Sequence, residues 1–210
     1  MDYETLVNEI IEKRDEVYQL IEDNLTFKIT PVLNEIAQKA EEIQADDPTH
    51  IIDKISVYEF LGDGYYSGGR MQLALDYYRE AIELGKSLAD ENRQYFEPLR
   101  SLYTKLVMVR YLFEGNDSEN LKEEISDYVK KSKSLREDIL EECQYATKHD
   151  PVEDSEEYLA VIDEIEERIY EETKDSDDAD SSEVYNQLKK QYLAERGIEW
   201  SDPLTYSGNN

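Results

Sequence analysis

The chain has 210 residues, enough for one domain or two small ones with a buried core. It sets 51 acidic side chains against 23 basic ones, for a formal net charge of −28. Such a field argues against direct binding of nucleic acid or of an anionic membrane surface, since both need Lys and Arg to displace counterions, and it favours basic partners.

Hydrophobic residues make up 39% of the chain and charged residues 35%, which is above the range of disordered segments. Tyrosine dominates the aromatics, 17 against 4 Phe and 1 Trp. Its apolar ring and polar tip suit half-buried seams between helices as well as binding surfaces.

Along the chain the apolar spacing is helical. Tyr3, Leu6, Val7, Ile10, Val17 and Ile21 form one stripe. Thr30-Pro31 reads as a helix start, with threonine as the cap and proline at the first helical position, and Leu33, Ile36, Ala37, Ala40 and Ile43 follow. Asp47-Pro48 repeats that signal before Ile51, Ile52, Ile55, Tyr58 and Leu61. Ser67-Gly68-Gly69 is a turn, and Met71, Ala74, Leu75, Tyr78, Ala81 and Ile82 form the next stripe.

A further helix is expected from about Pro98 to Gly115, and a long one from about Ser118 to Lys148. The lone cysteine, Cys143, lies on the inward stripe of the latter, which suits a buried thiol better than a nucleophile. Asp150-Pro151 ends that helix, and a seventh carries Tyr158, Val161, Ile162, Ile165 and Ile169. Residues 174–182, KDSDDADSS, read as an acidic linker, with 1–173 as the main helical domain before it. Residues 183–210 hold a short helix (Val184, Leu188, Tyr192, Leu193) and a tail without helical period. In that tail Trp200 either folds back on the helices or docks on a partner. No segment alternates like a strand, so the expected fold is all-α with about eight helices, antiparallel where connections are short.

One stretch carries more. Tyr58, Leu61, Gly62, Tyr65, Ala74, Tyr78 and Ala81 keep the spacing of the tetratricopeptide pattern, and residues 55–88 resemble one such repeat. The closing proline of the pattern is replaced by Lys86, and one repeat further on Asn92 and Phe96 hold the aromatic and glycine places. The resemblance implies a short right-handed solenoid of antiparallel hairpins whose neighbours bury what one repeat cannot. It also implies a groove lined by the first helix of each pair. The groove positions here are Glu59 and Asp63, too acidic to clamp a carboxylate and suited to a basic or mixed segment, or else merely solvated.

Catalytic patterns are missing. His50 and His149 each sit beside an Asp-Pro helix boundary, and no HExxH, phosphate loop or zinc spacing occurs. Paired carboxylates are too common here to inform, and the Asp175–Asp180 run lacks the glycine and closing glutamate of a calcium loop. The expectation is therefore no enzyme, no cofactor and no metal. The N-terminal stretch lacks the basic and apolar regions of a signal peptide, and no membrane-length apolar run occurs, so a cytoplasmic location is expected. The chain reads as a protein-interaction scaffold that binds a protein or peptide partner through Tyr58, Glu59, Asp63, Tyr65 and Trp200. Leu61, Gly62, Ala74, Tyr78 and Ala81 serve as structural repeat positions. The alternative is an acidic mimic of nucleic acid that inhibits a DNA- or RNA-binding protein, using runs such as 137–142 and 153–172.

Overall fold

The computed structural model describes residues 2–91, 101–106, 109, 150–176 and 181–202. Among them the regular structure is entirely helical. The expected helices over 98–115 and 118–148, with Gly115 and Cys143, lie outside the described residues apart from 101–106 and 109, as does His149. The chain divides into two compact units, Met1–Ala146 and Thr147–Asn210.

In the first unit, α1 (Tyr3–Glu22) begins at Asp2, whose carboxylate accepts the Thr5 amide, so one orphan donor of the helix start is satisfied. α2 (Ile29–Glu41) follows a 3-10 turn, Thr26–Lys28, that buries Phe27. The expected cap at Thr30 is thus corrected, because the helix starts two residues earlier, with Lys28 at the cap position and Pro31 as its third residue. Proline is tolerated there because none of the first four amides has an intrahelical partner.

α3 (Pro48–Ser67) starts as expected, with Asp47 Oδ1 accepting the amides of Thr49 and His50 at 2.8 and 3.1 Å. It ends at Gly68, and Gly69 turns the chain at φ +70° into α4 (Met71–Glu91). Side-chain pairs fix the packing. Lys13 with Glu35 and Lys39 with Glu9 run α2 antiparallel to α1. Tyr58 with Glu41 and Tyr65 with Asn34 do the same for α3 against α2. α1 and α3 are neighbours too, since Tyr18 meets Phe60 edge-on at 5.6 Å and the Arg14 guanidinium lies 4.8 Å from the Phe60 ring centre.

The core between these helices joins Leu6, Ile10 and Val17 to Leu33, Ile36, Leu61, Tyr65, Leu75 and Tyr78, and the helical segment 101–106 adds Leu102, Tyr103 and Leu106. Burying each large apolar side chain is worth ~1.5–3 kcal/mol. Two members of the expected stripes are corrected. Ile21 and Ile52 are exposed: Ile21 lies off the centre of the apolar arc in the last turn of α1, and Ile52 lies on the face of α3 opposite its buried residues.

The second unit opens with a 3-10 turn, Pro151–Asp154, capped by Asp150. The expected seventh helix is two pieces, α5 (Glu156–Leu159) and α6 (Ile162–Thr173), split where the Val161 amide bonds back to Tyr158 O. α7 (Ser182–Glu195), capped by Ser181, packs on α6 through Ile165, Ile169, Tyr192 and Leu193. The acidic stretch 174–182 therefore connects two helices of one unit, and the division of the chain falls at 146/147.

Candidate functional site

On α3 the tetratricopeptide-like residues do packing work. Leu61, Ala74, Tyr78 and Ala81 are buried, and Gly62 faces the Tyr78 ring. A Cβ at Gly62 would stand 2.6 Å from Tyr78 Cδ1, so the glycine is what lets α3 and α4 meet. Gly64 has the same role toward α2, where an added Cβ would stand 2.6 Å from Leu33 Cδ2. Nothing in the repeat spacing pointed to that second contact.

Tyr58 and Tyr65, expected to touch a partner, are buried and their hydroxyls are committed. Tyr58 donates to Glu41 Oε1 at 2.7 Å and Tyr65 to Asn34 Oδ1 at 2.6 Å. Burial, with the Glu41 carboxylate beside Tyr58, pushes both phenols well above their ordinary range, so they stay neutral donors. Both are seam residues, not docking residues. The sequence could not separate the two roles because a half-polar ring suits either.

Glu59 and Asp63 do lie on an outer face of α3, but a cation of the same chain stands between them. Lys105 Nζ is 2.8 Å from Glu59 Oε1 and 2.6 Å from Asp63 Oδ2. The other oxygen of Asp63 accepts the Tyr78 hydroxyl at 2.7 Å. Partial burial of Lys105 opposes its charge, yet the hydrogen bonds to Asp63 and Glu59 prevail and hold the ammonium above its ordinary value. Lys105 was missed in the sequence. Its signal was a single lysine within the apolar run LYTKLVMV.

Trp200 belongs to the second unit and is only 4% exposed. Its indole N–H donates to Glu153 Oε1 at 2.6 Å, and Lys189 Nζ lies 4.7 Å from its ring centre. It folds back on the helices of its own unit, so it is not presented as a docking side chain. The same unit has an open depression lined by Val152, Ser155, Glu157, Val161, Arg196 and Ile198. The Arg196 guanidinium there is drawn to Glu164.

The residues left presented are others. On α1, Ile11 and Tyr18 are 46% and 49% exposed. Glu4, Ile11, Asp15, Tyr18 and Glu22 recur at steps of seven, four, three and four and are all exposed, so they share one helix face. On the neighbouring α3, Ile52 (40% exposed), the exposed Ser56 and the partly exposed Glu59 and Asp63 share one face by the same spacing. A signal for this face was present in the sequence, since Ile11 and Tyr18 are an i, i+7 pair outside the buried stripe.

Among the described residues, this arrangement offers exposed apolar side chains with carboxylates beside them. Among the described residues the one tight group of an imidazole with carboxylates is Asp46, Asp47 and His50, whose ligand-type atoms already bond one another. No helix among the described residues is long and apolar enough to cross a membrane. No protein-family model matches the chain, and no curated protein or solved structure matches it either.

Proposed function

We propose that this chain is a non-catalytic protein-interaction scaffold of stacked helical hairpins, tetratricopeptide-like in plan, that docks a basic amphipathic segment of a partner protein. The observation that carries the reading is the outer face of α1 and α3. There Ile11 and Tyr18 are exposed on the α1 face they share with Glu4, Asp15 and Glu22, and Ile52 is exposed on the α3 face it shares with the partly exposed Glu59 and Asp63. Exposed apolar side chains beside an excess of carboxylates, with Arg14 and Lys105 as the neighbouring cations, suit a ligand of mainly basic character with its own apolar residues.

The stacking reading is supported by three relations in the first unit. α1 with α2 and α3 with α4 are hairpins, α1 and α3 are neighbours, and Lys105 of the following helical segment meets α3 at Glu59 and Asp63. The site differs from the one the repeat pattern implied. Glu59 and Asp63 contribute charge already shared with Lys105, and the apolar anchors come chiefly from α1.

The test is site-specific photo-crosslinking in a native lysate at low and high salt. The crosslinker is placed at Ile11, Tyr18 or Ile52, and at Leu73 on α4, which is equally exposed. The expected result is one and the same adduct from the first three positions, surviving salt, and none from Leu73. Equal adducts from all four positions that vanish in salt would replace this reading with binding through dispersed charge, as in a nucleic-acid mimic. No adduct from any position would overturn both.

A further inference from the structure

We propose that the junction of α1 and α3 is a proton-operated clasp, in which a protonated His50 ties the first turns of the two helices together and its neutral form releases them. His50 stands in the first turn of α3, three-quarters buried, with Nδ1 2.7 Å from Asp46 Oδ1 and 3.1 Å from Asp47 Oδ2. The ring of Tyr3, from the first turn of α1, covers the imidazole with ring centres 3.9 Å apart. The Tyr3 hydroxyl passes on to Asp53, one turn further along α3, and donates to its carboxylate.

The imidazole is thus faced by Tyr3 from α1, Asp46 from the connection, Asp47 from the cap and Asp53 from α3. The nearby basic side chain, Lys54, is turned toward Ile43 O and Glu41. A cationic imidazole neutralises part of this carboxylate cluster and sits against the negative face of an aromatic ring. A neutral one keeps a single N–H and leaves Asp46, Asp47 and Asp53 to repel one another. The positive end of the α3 dipole acts against the cation, but Asp47 caps that end, and the neighbouring carboxylates outweigh it.

The hydrogen bond that the imidazole donates to Asp46 raises it above its ordinary value. Partial burial opposes the shift, and the charges of Asp47, Asp46 and Asp53 add to it. A raised folded-state value fixes the sign. The clasp's contribution is complete below the unfolded value of 6.5 and is lost as pH rises through the folded value, on the alkaline side of 6.5. The device stands whether or not a partner docks on α1.

The test uses the full chain and two variants, His50→Gln and Asp46→Asn. Asp46→Asn leaves the Asp47 cap untouched. The His50 imidazole and the Tyr3 ring are followed by NMR from pH 5.5 to 8.5, and urea unfolding is measured at the same points. The expected result is a His50 midpoint above 6.5 that the Tyr3 resonances share. The wild type's advantage in unfolding constant over His50→Gln should fade across that midpoint, about tenfold for each unit of upward shift. Asp46→Asn should lower the midpoint. If His50→Gln does not fold, the NMR midpoints of the wild type and Asp46→Asn decide alone. A midpoint at or below 6.5, a difference flat with pH, or Tyr3 resonances that ignore the titration would each overturn the clasp.

Discussion

α3 and α1 are both 20-residue helices of the same unit, yet they use their surfaces in opposite ways. α3 carries the recognisable pattern, and nearly every patterned residue is spent on its neighbours. Gly62 faces Tyr78, Gly64 faces Leu33, Tyr58 and Tyr65 bond to α2, and Lys105 takes Glu59 and Asp63. α1 carries no such pattern, and it is α1 that leaves Ile11 and Tyr18 in water. The difference teaches where to look for function in a helical stack. A regular motif records what the helices need from each other, and the side chains that fit no packing need are those free for a partner.

The comparison breaks most visibly at Gly62. Gly62→Leu should cost about 2–3 kcal/mol, because the buried and hydrogen-bonded Tyr78 ring has no room to move aside. The control is Gly69→Ala, where no atom lies within 4 Å and only the positive φ resists, at ~1 kcal/mol. Urea unfolding of both variants checks the order. If Gly62→Leu costs no more than Gly69→Ala, the α3–α4 approach is not set by that glycine.

A smaller effect is expected where α3 meets the next segment. Lys105→Met removes the cation between Glu59 and Asp63, all three of them partly exposed. The loss should be at most about 1 kcal/mol and should shrink in 0.5–1 M salt (~3–4 Å Debye length), which screens the two carboxylates left facing each other. Unfolding at low and high salt measures it. A loss of several kcal/mol would mean that Lys105 is a core element, and that Glu59 and Asp63 belong wholly to the fold.

How much of this was legible depends on the kind of residue. Apolar spacing gave α1 to α4 within a few positions, because a 3.6-residue period leaves a one-sided stripe and Asp47-Pro48 and Gly68-Gly69 mark ends by local chemistry alone. Thr30-Pro31 misled by two residues, since proline fits throughout a first turn and cannot date the start within it. The Gly62 approach was legible because its partner lies in the same hairpin. The Gly64–Leu33 contact and the Lys105 bridge were not, as each joins residues from different hairpins that no spacing rule relates. Tyrosine was the hardest to read. The same side chain serves as a seam at Tyr58 and as a presented ring at Tyr18, and only burial separates them.

The sharpest form of the comparison is a change that should do almost nothing to the fold. Ile11→Ser combined with Tyr18→Ser removes apolar area that water already reaches, so stability should stay within about 0.5 kcal/mol for each site. Tyr18 does give up its edge contact with Phe60, but Arg14 still lies over that ring. A helix made for packing alone would also gain solubility from the change and lose nothing else. A docking face would lose its anchors, and the adduct from a crosslinker at Ile52 should fall at least tenfold while the urea midpoint holds. If instead the unfolding free energy drops by the several kcal/mol typical of a core truncation, Ile11 and Tyr18 are covered in solution. The contrast between an α3 whose patterned residues are spent on packing and an α1 that presents its apolar residues would then be lost.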